Sequence, residues 1–303
     1  MDYQSILERV YKETREIASI GEVASYIPEL ATVNPDYFAI ALRTVAGQSF
    51  SVGDSEVPFS TQSIAKVFGL SLALSCNPDE VWKRVGVEPS GDPFNSLGLL
   101  EVESGRPRNP LVNAGAIVVC DILLSNFESP LASLLELVRG VAESDDVVVN
   151  AAVAASELET AHRNRALGHL MCSFGNIRNP VEEVIELYVQ MCGIELSCQQ
   201  LASAFGFLAD QGRSLPRKFR LEPRTVRRIN SLMLTCGFYD EAGEFAFSVG
   251  LPGKSGVGGG IAAACPQRYS IATWSPKLTK GGNSYLGTRA LARIASLTDG
   301  SIF

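Results

Sequence analysis

A hydroxyl and an amine three positions apart, Ser63 and Lys66, stand in the stretch Pro58-Phe-Ser-Thr-Gln-Ser-Ile-Ala-Lys-Val-Phe-Gly-Leu70. On a helix that spacing puts both groups on one side, one turn apart. Around them Ile64, Ala65, Val67, Phe68, Leu70, Leu72, Ala73 and Leu74 form a segment apolar nearly all round, the pattern of a buried helix. Lys66 is the one charge inside it. A buried ammonium escapes its desolvation cost through a lowered pKa or a dedicated partner. A lysine held partly neutral beside a serine is a general base beside a nucleophile. Ser-x-x-Lys also arises by chance, and a surface lysine near a helix start reads the same way, so the pattern needs support from elsewhere in the chain.

A Ser-His-Asp triad is the first rival. The only histidines, His162 and His169, lie in one helical pattern rich in Arg and Asn, and no Gly-x-Ser-x-Gly surrounds Ser63. Both read as surface or packing residues, and Lys66 gains as the base. A phosphate-binding loop is the second rival. Gly253-Lys254-Ser255 matches the end of such a motif, but position 248 is Ser248 where a glycine is required, and the glycines that follow do not open a helix. The stretch Leu251-Pro-Gly-Lys-Ser-Gly-Val-Gly-Gly-Gly260 reads equally as a tight turn between strands or as a glycine-rich edge. As an edge, it lets backbone N–H groups approach a ligand, with Lys254 making it positive.

Several polar residues could meet a ligand, each with a plainer structural reading beside it. Asn113 falls in an apolar helical run whose cap Asn109 supplies, with Pro110 at the first helical position. Unpaired, it would cost about 1–3 kcal/mol. Glu157 and Asn164 are seven apart, two turns on one helix face, about 10 Å along the axis, a spacing that fits the ends of a small zwitterion but, for an isolated pair, reads better as two solvated side chains. Tyr188 lies on an apolar stripe with Val181, Val184, Ile185, Met191 and Cys192, and Tyr239 lies just before the C-terminal strands.

The elements that must position these groups follow from periodicity. Residues 3–17 form an amphipathic helix, and Tyr37–Arg43 and Gln48–Val52 form two strands. Pro78–Pro110 is irregular, with Leu111–Leu124 a buried helix after it. Helical patterns run at 131–142, 150–174, 180–192, 197–211 and 222–235. From Phe245 the texture turns to strands at Ser248–Gly250, Lys254–Ile261 and Tyr269–Trp274, and Ser284–Leu297 closes the chain as a helix. Strands at both ends and helices between them predict an α+β fold, with an antiparallel sheet built from both chain ends and flanked by the terminal helices. A single catalytic domain over 1–303 would then hold an α/β lobe at about 1–62 and 245–303 and a helical lobe at about 63–244, with the site in the cleft.

The net charge of −7 and the lack of any Lys/Arg run argue against a nucleic-acid surface. Seven cysteines without a C-x-x-C pair, and two histidines, argue against zinc. Their apolar surroundings read as reduced thiols of a cytoplasmic core, and no signal peptide or apolar run long enough to span a membrane is read.

Five dispersed stretches carry a resemblance. They are Tyr26-Ile-Pro-Glu-Leu30, Phe59-Ser-Thr-Gln-Ser-Ile-Ala-Lys-Val-Phe68, Pro89-Ser-Gly-Asp-Pro-Phe-Asn-Ser96, Pro107-Arg-Asn-Pro-Leu-Val-Asn-Ala-Gly-Ala-Ile117 and Leu251–Ile261. Over essentially its full length the chain resembles the bacterial serine-dependent glutaminases, which share the fold of the serine β-lactamases and penicillin-binding proteins. The resemblance implies hydrolysis of the side-chain amide of L-glutamine, without metal or organic cofactor, by a homotetramer or dimer. It implies Ser63 as nucleophile and Lys66 as base. Tyr26, Asn113, Glu157, Asn164, Tyr188, Tyr239 and Val257 would line the glutamine site. Glu157 would meet the substrate ammonium, and Asn164 and Tyr188 its carboxylate. The N–H groups of Ser63 and Val257 would form the oxyanion hole, with Tyr239 or Tyr26 relaying a proton to ammonia. Larger animal members carry ankyrin repeats absent from these 303 residues. The Leu111-Val112-Asn113 stretch lacks the serine of the penicillin-recognising Ser-x-Asn motif, although Lys254-Ser255-Gly256 resembles their Lys-Thr-Gly. A β-lactamase or esterase of the same fold, or a non-catalytic amino-acid-binding domain, are the competing readings.

Overall fold

A computed structural model describes residues 1–17, 20–90 and 97–303. Its strands, in chain order, are β1 (Ala39–Thr44), β2 (Ser49–Gly53), β3 (Phe59–Ser60), β4 (Val148–Val149), β5 (Ile194–Leu196), β6 (Gly253–Ser255), β7 (Gly260–Cys265) and β8 (Tyr269–Trp274). Five of them form an antiparallel sheet in the order β2-β1-β8-β7-β6, so both chain ends meet at the β1–β8 pair, where Ala41 faces Ala272. The expected sheet from both ends is therefore present.

The period of two along these strands divides two cores. On one face Ile40, Leu42, Ile261, Ala263, Tyr269 and Ile271 pack with Leu7 and Val10 of the helix Tyr3–Arg15 and with Leu286, Leu291 and Ile294 of the helix Tyr285–Thr298. On the other face Ala39, Ala41, Ala262, Ala264 and Ala272 present small side chains to the helical mass. Small residues let the helix Cys198–Ala204 approach closely enough for Ser270 Oγ to donate to Ala202 O at 2.6 Å. Because helices cover both faces, β1, β7 and β8 are buried nearly throughout.

The helix Ala65–Cys76 sits deep in the second core, with Ala65 through Leu74 all buried, as its composition requires. Among the described residues no single helix is long and apolar enough to cross a membrane.

The structure differs from the sequence reading in several places. Ser248–Gly250 is not a strand: it is the end of the helix Ala242–Ser248, whose cap is Val249, and Gly250, at φ +67°, closes that end by donating to Phe245 O. The expected strand Lys254–Ile261 is two strands joined by a turn, β6 and β7. The irregular stretch 78–110 contains the helices Pro78–Arg84 and Leu97–Val102, and residues 91–96 of the Pro89–Ser96 motif lie outside the described residues. The buried helix begins at Asn113 rather than at Pro110; Asn109 Oδ1 instead accepts from the N–H groups of Leu111 and Val112, shaping the turn before it. Finally, β5 pairs with both β3 and β4 in a three-stranded sheet that the short segments did not announce. Of the cysteines, Cys76 and Cys172 are exposed, not core, and all seven are free thiols.

Candidate active site

The small sheet sets the position of Ser63. After β3, Ser60 Oγ donates to Cys192 O (3.0 Å) and Thr61 donates through both N–H and Oγ1 to Ile194 O (2.9 and 2.8 Å). The chain then turns sharply through Gln62, at φ +49°, into the 3-10 turn Gln62–Ile64 and the helix Ala65–Cys76. A left-handed glutamine is uncommon and marks a turn held by its surroundings.

The glycine-rich turn between β6 and β7 backs this corner. A Cβ on Gly256 would lie 2.4 Å from Thr61 O, one on Gly258 2.2 Å from Ser60 O, and one on Gly260 2.5 Å from the Phe59 ring. The glycines therefore let two backbones touch, the close-approach use of glycine. Lys254 does not make this edge positive as expected. It is fully buried, and its Nζ donates to Gly237 O (2.9 Å) and Ser255 O (2.7 Å).

In front of Ser63 lies a pocket of about 280 Å³ lined by Tyr26, Gln62, Ser63, Asn113, Glu157, Thr160, Ala161, Arg163, Asn164, Tyr188, Tyr239 and Val257. Every residue singled out from the sequence for the substrate site is on its wall. Lys66 lies behind that wall, buried, with Nζ donating to Asn113 Oδ1 (2.7 Å) and Leu111 O (3.4 Å). Asn113 in turn donates through Nδ2 to Asn164 Oδ1 (3.1 Å), so this polar residue at the helix start is satisfied on both sides. His162 and His169 are exposed and take no part in the pocket.

Glu157 and Asn164 reach the pocket by a route the periodicity missed. They do not share one helix: the helix Ala151–Thr160 ends and another, His162–Ser173, begins after Ala161. Thr160 Oγ1 donates back to the carbonyls of Ser156 and Glu157, and Arg165 Nη1 takes Leu158 O (2.9 Å). These side-chain bonds satisfy the ending helix's carbonyls and compete with its continuation.

Burial dominates the electrostatics. It pushes Lys66 down from 10.5 to about 8, against the charge of Glu157 and nearby thiols. It pushes Glu157 up from 4.5 to about 7, with the hydrogen bond from Gln62 Nε2 (3.4 Å) and the charge of Lys66 opposing. Tyr239 is raised to about 12 by burial, while the neighbouring Ser63 and Ser255 hydroxyls work the other way. Tyr188, buried, is also raised well above 10, chiefly by that burial. These groups with shifted proton affinity stand on and directly behind one concave wall, an arrangement that can do acid–base chemistry. Among the described residues no group of three His, Cys, Asp or Glu side chains is placed to hold a metal ion.

Gln62 was not anticipated. It joins Ser60 Oγ (3.0 Å) to the Glu157 carboxylate, and its only sequence signal is adjacency to Ser63. Thr160, Ala161 and Arg163 likewise carry no motif.

Known proteins are similar to this chain over its length. A glutaminase of Christiangramia forsetii is 51% identical over 304 residues, covering 100% of both chains. The solved structure of a probable glutaminase, YbaS, superposes with a TM-score of 0.93 at 36% identity, covering 99% of this chain and 97% of that one. A probable glutaminase from Bacillus subtilis, complexed with 6-diazo-5-oxo-L-norleucine, gives 0.88 at 31% identity, covering 100% and 98%. Residues 21–303, which carry every pocket residue, match the glutaminase family model, and with the full-length likeness this places the chain in the glutaminase family.

Proposed function

We propose that the protein hydrolyses the side-chain amide of L-glutamine to L-glutamate and ammonia through a glutamyl ester on Ser63, with Lys66 as the base. The observation that carries this reading is the condition of Lys66. It is a buried amine, pushed down to about 8, one helical turn past a serine that opens onto a polar pocket. Near neutral pH such an amine is unprotonated in a usable fraction of molecules.

In this reading Lys66 takes the Ser63 proton as Oγ attacks the amide carbon. The developing oxyanion is met by the N–H groups of Ser63 and Val257, a role supported by the close packing of the 256–260 turn on Ser60 and Thr61. Collapse breaks the C–N bond as Tyr239, with Tyr26 the other candidate, gives a proton to the departing ammonia. Water then cleaves the ester. The substrate ammonium pairs with Glu157, and its carboxylate accepts from Asn164 and Tyr188. The steps call for no metal or organic cofactor. We take residues 1–303 as one catalytic unit, and family likeness supports a homotetramer or dimer in the cytoplasm.

Two measurements test the reading. The wild type should release ammonia from L-glutamine, and Ser63→Ala should fall by about 10⁴-fold or more. The diazoketone 6-diazo-5-oxo-L-norleucine, whose reactive carbon replaces the glutamine amide nitrogen, should add to the wild type with loss of dinitrogen and leave Ser63→Ala unlabelled by intact mass. No ammonia from the wild type defeats the reading, and equal release by both proteins defeats the nucleophile.

A further inference from the structure

Lys254 is the second lysine buried at this site, and the steps above give it no part. It lies on β6 with no exposed surface, and its Nζ donates to Gly237 O and Ser255 O. The Tyr239 ring centroid is 4.5 Å from the same nitrogen. Two carbonyls and an aromatic face are three electron-rich partners, the complement of an ammonium with three N–H donors. A neutral amine would turn a lone pair toward one of these acceptors. Burial and repulsion from Lys66 both push the Lys254 ammonium down, so the carbonyls and the ring work against a real cost.

Tyr239 is itself held in a strained place. Its φ is +51°, in the left-handed region that few non-glycine residues adopt. Two residues on, the Glu241 carboxylate accepts from Asn283 Nδ2 (2.5 Å) and Thr279 Oγ1, and a side chain at Gly281 would reach within 2.1 Å of it. Tyr239 thus stands on a braced turn, its ring over Lys254 and its side chain on the same pocket wall as Ser63.

We propose that Lys254 is a positioning residue for the hydrolysis, whose ammonium beneath the Tyr239 ring fixes that ring against Ser63 and stabilises the phenolate formed as Tyr239 gives up its proton. The inference rests on the proton-relay role proposed above for Tyr239. The balance is simple: the phenol O–H breaks, an N–H forms on the leaving nitrogen, and the phenolate recovers a proton from the water that cleaves the ester. A cation facing the ring gains attraction as the ring gains negative charge, and that gain is absent from the ground state. Loss of Lys254 therefore lowers kcat and leaves KM nearly unchanged.

The test compares Lys254→Met, Lys254→Gln, Tyr239→Phe and the Lys254→Met/Tyr239→Phe double variant by kcat and KM for L-glutamine and by melting temperature. Lys254→Met should lower kcat by about 10–100-fold, with KM within about twofold and a melting temperature at or above the wild type, since a buried charge is gone. Lys254→Gln, which can still donate to the two carbonyls, should lose a similar factor. In the Tyr239→Phe background the Lys254 substitution should change kcat by less than about twofold. Wild-type kcat in Lys254→Met or in Lys254→Gln overturns the proposal. So does the same fold-loss in both backgrounds, or a fall in melting temperature that accounts for the lost activity. A wild type inactive on L-glutamine would instead defeat the proposed function.

Discussion

Lys66 and Glu157 occupy the same buried site with opposite native charges, and burial moves each toward its neutral form. The proposed chemistry wants Lys66 neutral, to accept a proton, and Glu157 ionised, to pair with the substrate ammonium. Both conditions are reached by losing a proton, so activity should rise with pH through about 7 and about 8. The expected profile of kcat/KM for L-glutamine climbs between about pH 6 and 9, with a limiting acid slope of about two. In Glu157→Gln the residual activity should climb with a slope of about one, because only Lys66 still titrates. A profile that falls over this range would remove Lys66 from the base role. An unchanged slope in the variant would free Glu157 from any part in it. Gln62 belongs to the same scale: its hydrogen bond opposes the upward push on Glu157 and helps keep that carboxylate available.

Among elements, the hairpin β6–β7 and the turn 62–64 depend on each other. Gly258 permits backbone contact with Ser60 O, and the strand pairing on either side leaves neither backbone room to withdraw. Gly258→Ala should therefore lower kcat/KM for L-glutamine about tenfold or more by displacing the Ser63 corner. Gly243→Ala is the matching control: its Cβ meets nothing within 4 Å, it lies inside the helix Ala242–Ser248, and it should keep activity while gaining about 0.5–1 kcal/mol of stability. Equal activity in the two variants would show that the glycine edge does not set the nucleophile's place. At this scale the sequence was legible where one period ran long. The apolar run after Ser63 gave a buried helix, and alternation gave β1 and β8. It failed where side chains decided the end of an element, as at Thr160 and Arg165, which split the helical pattern between Glu157 and Asn164. Gly250 was a readable helix stop, but a short run of aromatic and β-branched residues before it fits a strand equally well by period alone.

Across the whole molecule, the pocket gathers side chains from Tyr26 near one end to Val257 near the other, so ligand and fold are linked. A ligand that binds only the folded state stabilises it by mass action. L-glutamine at about a hundred times its Kd should stabilise Ser63→Ala by about 2.7 kcal/mol, a rise of several degrees in melting temperature. The double variant Ser63→Ala/Glu157→Gln should show little of that rise at the same concentration. An equal rise in both would place the substrate ammonium elsewhere.

Residue types and spacing by themselves determined that a serine stands one turn before a lysine at the start of a buried helix, that strands from both ends build an antiparallel sheet, and that glycines crowd the stretch 251–260. Those features depend on local period and composition, which a sequence states directly. Tertiary structure alone decided that Lys254 points inward beneath Tyr239, that Gln62 holds Glu157, and that a helix break aims Glu157 and Asn164 into the same pocket. Each of these depends on contacts between residues far apart in the chain, or on which of several acceptors a side chain finds once burial has removed water. Neither is written in any one segment.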